Sequence, residues 1–252
     1  MVTTTGQEPE LSPIEQAKKR AAYACGEKHV QSGCRLGVGS GSTVKYLVDF
    51  LKHGFQTGHL KDIVCVPTSF STKLWLIEAG LPVSDLDSNP ELDVCIDGAD
   101  EVDRYFSCIK GGGGCLAQEK IVQAAAKRFF VIADYLKDST QLGDRYPVIP
   151  IEVLPLAAQP LLRSIPRTEG GSCSLRQAVK KCGPVVTDNG NFIIDWQFEK
   201  NVAGRDWNLI QQRLANTPGI VETGLFLSCV EAVFFAYSDG SVKEIVNSNL
   251  KK

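Results

Sequence analysis

The chain has 252 residues, 43% of them hydrophobic and 22% charged, with a formal net charge of −2. That length supplies one large domain or two modest ones with a real core. The near-neutral balance offers no basic footprint for nucleic acid, and no apolar run is long enough to span a membrane. Residues 1–13 are polar, lack the apolar core of a signal peptide and are expected to form a loose tail. The nine cysteines are spread singly, with no Cys-x-x-Cys pair, which argues against a zinc site. Several sit in apolar runs, as Cys65 does within 63–66 and Cys95 within 92–96. Buried, reduced thiols and a cytoplasmic location are the expectation.

A first helix is announced by Ser12-Pro13-Ile14-Glu15: Ser12 can cap, Pro13 suits the first helical position and Glu15 completes a capping box. Ile14, Ala17, Ala21 and Cys25 mark its apolar face. A short strand over 35–38 runs into a glycine loop, beyond which Val44, Leu47, Val48 and Leu51 recur at helical spacing. Residues 63–66 read as a buried strand, and 69–79 as a helix stopped by Gly80. A third buried strand over 92–96 ends in an acidic cluster. Residues 116–128 read as a helix and 129–133 as another strand.

This alternation predicts right-handed βαβ crossovers: an α/β fold with a Rossmann-like, mostly parallel sheet and helices on both faces. After about Tyr146 the pattern changes. Five prolines (147, 150, 155, 160 and 166) punctuate the chain, and 185–194 reads as a hairpin with Asn189-Gly190 at its turn. Residues 208–215 look helical, and 234–246 look like a second hairpin around Ser238-Asp239-Gly240. The expected organisation is a catalytic domain over 1–146 and 226–252. A smaller α+β, ferredoxin-like domain over 147–225 is inserted in it and contributes to assembly.

Chemistry concentrates in three clusters that follow predicted strands, where ligands bind in parallel sheets. The loop Gly37-Val38-Gly39-Ser40-Gly41-Ser42-Thr43 offers free amides and hydroxyls at a helix start. It is either an anion site or a plain tight turn. It is neither a dinucleotide fingerprint, since 66–69 carries no acid for a ribose, nor a Walker A loop. In Asp97-Gly98-Ala99-Asp100-Glu101 the small residues leave room for a ligand. A solvated cap, a Mg²⁺ site and proton handling on sugar hydroxyls all remain open. Lys110 is followed by four glycines, 111–114, whose conformational entropy cost is most readily explained by close approach of backbone to a ligand. Glu119 then falls early in the next helix. The helix dipole lowers its pKa and burial raises it, so a carboxylate near neutrality could act as a general base. His29, His53 and His59 lie away from these clusters, show no metal spacing and read as surface or cap residues, which leaves a Ser-His-Asp hydrolase unsupported.

Together these segments resemble ribose-5-phosphate isomerase of the A type. Ile109-Lys110-Gly111-Gly112-Gly113 with Glu119-Lys120-Ile121, Ile132-Ala133-Asp134 with Lys137, and Val186-Thr187-Asp188-Asn189-Gly190-Asn191 extend the match over nearly the whole chain. The resemblance implies interconversion of D-ribose 5-phosphate and D-ribulose 5-phosphate through an enediol, without a metal or cofactor, in a homodimer or homotetramer. It implies Glu119 as the base, with Asp97 and Asp100 as the substrate-binding pair and Asp97 assisting ring opening. Gly98 and Ala99 lie between that pair in the substrate loop. Lys110 and the amides of Gly111, Gly112 and Gly113 would steady the oxyanion. Ser40, Gly41, Ser42 and Thr43 would hold the phosphate, with Lys137 and Lys18 as further substrate contacts; Lys19 adjoins the latter. Cys115 departs from the family pattern and puts a thiol beside the site. Two other readings use the same residues: a non-catalytic sugar-phosphate sensor, which would not need Glu119 and Lys110, and a metal-dependent enzyme with Asp97 and Asp100 as ligands.

Overall fold

The computed structural model describes residues 11–200, 202 and 204–250; most of the expected N-terminal tail lies outside them. In chain order the elements are α1 Pro13–His29, β1 Arg35–Val38, α2 Ser42–Gln56, β2 Val64–Pro67, α3 Phe70–Glu78, β3 Val94–Asp97, β4 Glu101–Val102, β5 Cys108–Ile109, α4 Leu116–Ala124 and β6 Phe129–Asp134. There follow β7 Ile149–Val153, α5 Ala158–Glu169, β8 Ser172–Leu175, β9 Phe192–Gln197, α6 Trp207–Ala215, β10 Ile220–Thr223, β11 Leu225–Phe226, β12 Ala232–Ala236 and β13 Val242–Val246.

The main sheet runs β13-β12-β6-β3-β1-β2. Its pairs are parallel except the β12–β13 hairpin at one edge, which forms where the sequence places it. The side-chain alternation of β6 shows how the sheet is buried on both sides. Phe130 and Ile132 pack with Ala17, Ala21, Leu47 and Leu51 of α1 and α2. Phe129, Val131 and Ala133 pack on the opposite face with Val122 of α4 and Phe226 of a small sheet, β11-β5-β4. A four-stranded antiparallel sheet, β10-β7-β9-β8, occupies residues 149–223. The order β7-α5-β8-β9-α6-β10 is the ferredoxin-like βαββαβ arrangement. Its core is Ile149, Ile151, Ile194 and Trp196, packed with Leu161, Ile165 and Leu214 of α5 and α6. No helix among the described residues is long and apolar enough to cross a membrane.

Several local expectations are corrected. Ser12 caps α1, but the Glu15 carboxylate leaves the capping box open and accepts from Lys18 Nζ and the Tyr46 hydroxyl, each at 2.7 Å. Helix α4 stops at Ala124, because the following residues turn to bond Leu92 as the chain enters β6. The prolines at 160 and 166 did not announce α5, yet Pro160 falls in its first turn, where a missing N–H leaves nothing unpaired. His29 is not a surface residue: its ring stacks on Phe130 at 3.8 Å and burial lowers its pKa.

The hairpin expected over 185–194 does not form. Gly190, at φ +77°, makes the turn, but only Phe192–Gln197 is a strand, and both its edges are taken by β7 and β8. The preceding limb is held instead by Glu152 of β7. Its Oε1 accepts from Thr187 Oγ1, Asn189 Nδ2 and Asn191 Nδ2, each at 2.9 Å. Glu152→Ala strips the acceptor from the buried Thr187 and Asn191. A loss of about 3 kcal/mol in urea unfolding is expected, with a smaller loss for Glu152→Gln, which keeps one acceptor oxygen.

Candidate active site

The parallel strands β1, β3 and β6 deliver their carboxyl ends to one cleft of about 300 Å³. From β1 the chain passes through Ser40 and Gly41 into α2. Gly41 sits at φ +110°, and among the described residues no side chain caps this helix and no acid occupies its first turn. The open amides and the dipole together favour an anion. The hydroxyl of Ser40 turns back to Thr68 Oγ1 at 2.8 Å, and Thr72 Oγ1 donates to Gly39 O at 2.7 Å, so the loop is braced from α3 and its approach.

The acids at the end of β3 divide among three tasks. Asp97 Oδ1 accepts from the amides of Ser40 (2.9 Å) and Gly98 (2.7 Å), while Oδ2 lies 2.9 Å from Lys110 Nζ. Asp100 Oδ2 accepts from Gly112 N at 2.7 Å. Glu101 points away into the protein and takes the amides of Gly143 and Arg145 at 2.7 and 2.8 Å.

Lys110, which follows β5, is buried to 2% exposure. Its Nζ donates to Gly98 O at 2.6 Å and stands 3.4 Å from Glu119 Oε2. Two carboxylates therefore face one ammonium, all three side chains buried at the floor of the cleft. Burial pulls Lys110 down, but Asp97 and Glu119 outweigh it and hold the ammonium well above its ordinary value. Burial, reinforced by the negative charge of Asp97, pushes the Glu119 carboxyl up to about 8 against the pull of Lys110. Burial raises Asp97 too, opposed by Lys110 and the two amides. Glu119 Oε2 has no hydrogen-bond partner among the described residues. A carboxyl that titrates near neutrality and opens on a cleft, held only by its ion pair to a fixed cation, can take a proton from carbon and return it.

Residues 64–240 match the family Ribose 5-phosphate isomerase A (phosphoriboisomerase A). A Caenorhabditis elegans protein named "Probable-ribose 5-phosphate isomerase" is 86% identical over 248 residues, 98% of this chain and 99% of its own. This chain belongs to the ribose-5-phosphate isomerase A family. A solved D-ribose-5-phosphate isomerase in complex with phospho-erythronic acid superposes with a TM-score of 0.87 at 36% identity, covering 92% of this chain and 99% of the other. The Plasmodium falciparum ribose 5-phosphate isomerase gives 0.88 at 30% identity, covering 93% and 100%.

In this member of the isomerase family the cleft brings the sequence-predicted residues together. Lys18, Ser40, Gly41, Ser42, Thr43, Gly98, Ala99, Asp100, Lys110, Gly111, Gly112, Gly113, Glu119 and Lys137 all line it, and Asp97 lies just beneath, 1% exposed. Lys18 enters the cleft, whereas Lys19 turns away over the Tyr23 ring. Three lining residues are not among the expected site residues: Ile14, read only as apolar helix face, Asp134, read only as part of a motif that carries the resemblance, and Leu136. Asp134 ends β6 and its carboxylate accepts from Leu136 N at 3.0 Å, shaping the turn that carries Lys137. Its place at a strand's carboxyl end was the available signal. Burial pushes the Cys115 thiol up to about 12, which keeps it protonated and unreactive at neutral pH.

Gly39 has to be glycine, because a Cβ there would stand 2.0 Å from Asp97 Oδ1 and 2.1 Å from its Cγ. Gly39→Ala therefore displaces Asp97 and with it Lys110. A chain that still folds by circular dichroism but has lost about a hundredfold in kcat/KM is the expected outcome.

Proposed function

We propose that Glu119 is the general base of this chain's isomerisation. By family the chain is an aldose–ketose isomerase of the pentose phosphate pathway, interconverting D-ribose 5-phosphate and D-ribulose 5-phosphate through an enediol. The observation that carries the assignment is the buried Glu119 carboxylate beside Lys110, opening on the same cleft as the uncapped start of α2.

The phosphate docks on the amides of Ser42 and Thr43, with Ser40 and Gly41 shaping the loop and Lys18 and Lys137 closing it by charge. The open sugar then extends toward Glu119. Asp97 and Asp100 hold sugar hydroxyls, and Asp97 assists ring opening. Glu119 takes the C2 proton of the aldose and negative charge grows on the C1 oxygen; the C2 hydroxyl proton passes to that oxygen, which moves the charge to O2, and the same carboxyl returns its proton to C1 as the C2 carbonyl forms. Lys110 and the amides of Gly111 and Gly113 face that charge from fixed positions, where donors act most strongly, whereas the Gly112 amide expected there is committed to Asp100. Asp97 and Asp100 are turned to Lys110 and Gly112 and do not converge on one point, which supports proton handling over a shared metal ion.

We also read residues 147–225 as a separate domain, the assembly as a homodimer or homotetramer and the location as cytoplasmic. Phe70, Leu74 and Ile77, on successive turns of α3, are 62%, 44% and 54% exposed, which supports an interface there. Among the described residues all nine cysteines are free, which supports a reducing compartment.

Glu119→Gln should lower kcat by about a thousandfold while KM stays within about twofold, measured as ribulose 5-phosphate formation in EDTA. A loss confined to KM would remove the base assignment, and activity restored only by Mg²⁺ would favour the metal reading. Saturable sugar-phosphate binding without turnover by the wild type would favour the sensor.

In the free enzyme Glu119 must be ionised to act, so kcat/KM should fall as pH drops below about 8. Stability runs the opposite way. The folded carboxyl holds its proton more tightly than the unfolded chain, whose ordinary value is 4.5. Its contribution is complete below that value and lost as pH rises through about 8. Glu119→Gln should therefore raise Tm above that of the wild type at pH 9, a gain that shrinks by pH 5.

A further inference from the structure

Arg176 lies outside the cleft, just past β8 in the antiparallel sheet, and no family motif used above includes it. Its guanidinium is fixed by two bonds to Asp195 of β9, one from Nε at 2.8 Å and one from Nη2 to Oδ1. The remaining nitrogen, Nη1, reaches across to the glycine loop and donates to Gly111 O at 2.8 Å and Gly112 O at 3.1 Å.

Peptide planarity sets the consequence: a carbonyl held outward aims the N–H of the same peptide inward. In the first of these peptides the N–H belongs to Gly112 and goes to Asp100 at 2.7 Å. In the second it belongs to Gly113, which lines the cleft and whose N–H makes no hydrogen bond among the described residues. The turn itself is already closed by Gly114 N donating to Gly111 O at 3.0 Å, so Arg176 is not needed to form it. What it adds is a cation, its side chain 15% exposed, on the carbonyl side of both peptides. Bonding to a charged donor polarises a peptide and strengthens its N–H as a donor on the far side.

We infer that Arg176 is a positioning residue for the isomerisation: it clamps the carbonyls of Gly111 and Gly112 so that the Gly113 amide is aimed, polarised and free, at the oxyanion of the reacting sugar. The inference rests on the proposed reaction site. It ties the antiparallel sheet to catalysis, since Asp195 and Arg176 belong to that sheet and the loop to the other. The mechanism is electrostatic preorganisation, felt in the transition state and little in substrate binding.

The test compares the full-length wild type with Arg176→Gln, Arg176→Lys and Arg176→Ala, reading kcat and KM for ribose 5-phosphate, inhibition by phospho-erythronic acid and the urea midpoint. Arg176→Gln should lose about 30-fold in kcat with KM changed less than about threefold. Arg176→Lys, a point charge without the fork, should recover part of the loss. Inhibition by phospho-erythronic acid, which presents a carboxylate where the enediolate would form, should weaken more than KM rises. Added guanidinium ion should restore saturable activity to Arg176→Ala, and methylammonium at equal ionic strength should restore less. A kcat within about twofold of wild type in Arg176→Gln overturns the inference. So does a loss of kcat that tracks the urea midpoint across the three variants and is not rescued by guanidinium. A wild type without turnover overturns the reading on which the inference rests.

Discussion

A single buried ammonium organises this molecule's functional half. Lys110 is 2% exposed, and a charge that dry is tolerated only with close opposite charge and full hydrogen bonding. Asp97 supplies the first and Gly98 O the second, while Glu119 completes a cluster with one more negative group than positive. That imbalance gives the cluster its chemistry, since one carboxyl must hold its proton more tightly than in water. The requirement propagates outward into the sequence. Asp97 can reach Lys110 only over a residue with no side chain, Gly39. Gly224 is likewise bare because a Cβ would stand 2.2 Å from Lys110 O. Phe226 spreads its ring beneath two lysines, 5.2 Å from Lys110 Nζ and 4.8 Å from Lys120 Nζ.

Around that cluster the parallel sheet acts as an aligning device. β1, β3 and β6 end side by side, so segments from positions 40, 97 and 134 meet without any local sequence relation. The cleft is polarised along its length. One end offers an uncapped helix start, suited to an anion, and the other the Lys110 cluster, suited to proton transfer. A phosphorylated sugar fits that order. The antiparallel sheet supplies the third wall: Pro150 and Ile193 pack beneath the glycine loop, while Arg176 grips its carbonyls. A loop of four glycines has almost no side chains with which to hold itself, so its conformation has to be imposed from outside.

Much of this could be read along the chain, and two of the failures share a cause. The helices and the parallel strands up to residue 133 follow from apolar spacing and caps, and the clusters from glycine and acid content beside predicted strands; β4 and β5, two residues each, carry no such pattern. Past residue 146 the reading was weaker. The prolines that punctuate 147–166 do not mark α5, although Pro160 sits in its first turn, where a helix needs no N–H, and Pro166 lies inside it. The hairpin over 185–194 was expected from a sound turn signal, but the turn's first limb bonds to Glu152, 35 positions from Thr187 in sequence. His29, expected at the surface or as a cap, ends α1 but stacks its ring on Phe130. Local patterns carry the energies of neighbouring residues, whereas the turn's first limb and His29 were decided by distant partners, Glu152 and Phe130.

The sequence by itself determined the class of fold, the grouping of the phosphate loop, the acids and the Lys110 glycines, and the resemblance that named the chemistry. These depend on residue type and short spacing, which a linear chain displays directly. Only the tertiary structure decided that Asp97 serves Lys110, Asp100 the glycine loop and Glu101 the interior, although the three lie within five positions. It alone placed Lys18 in the cleft and Lys19 outside it, and set Arg176 behind the catalytic loop. Those assignments depend on direction and burial, and the field at Glu119 on charges 9 and 22 positions away at Lys110 and Asp97. Neither quantity exists until the sheet has brought those residues within a few ångströms and excluded water from between them.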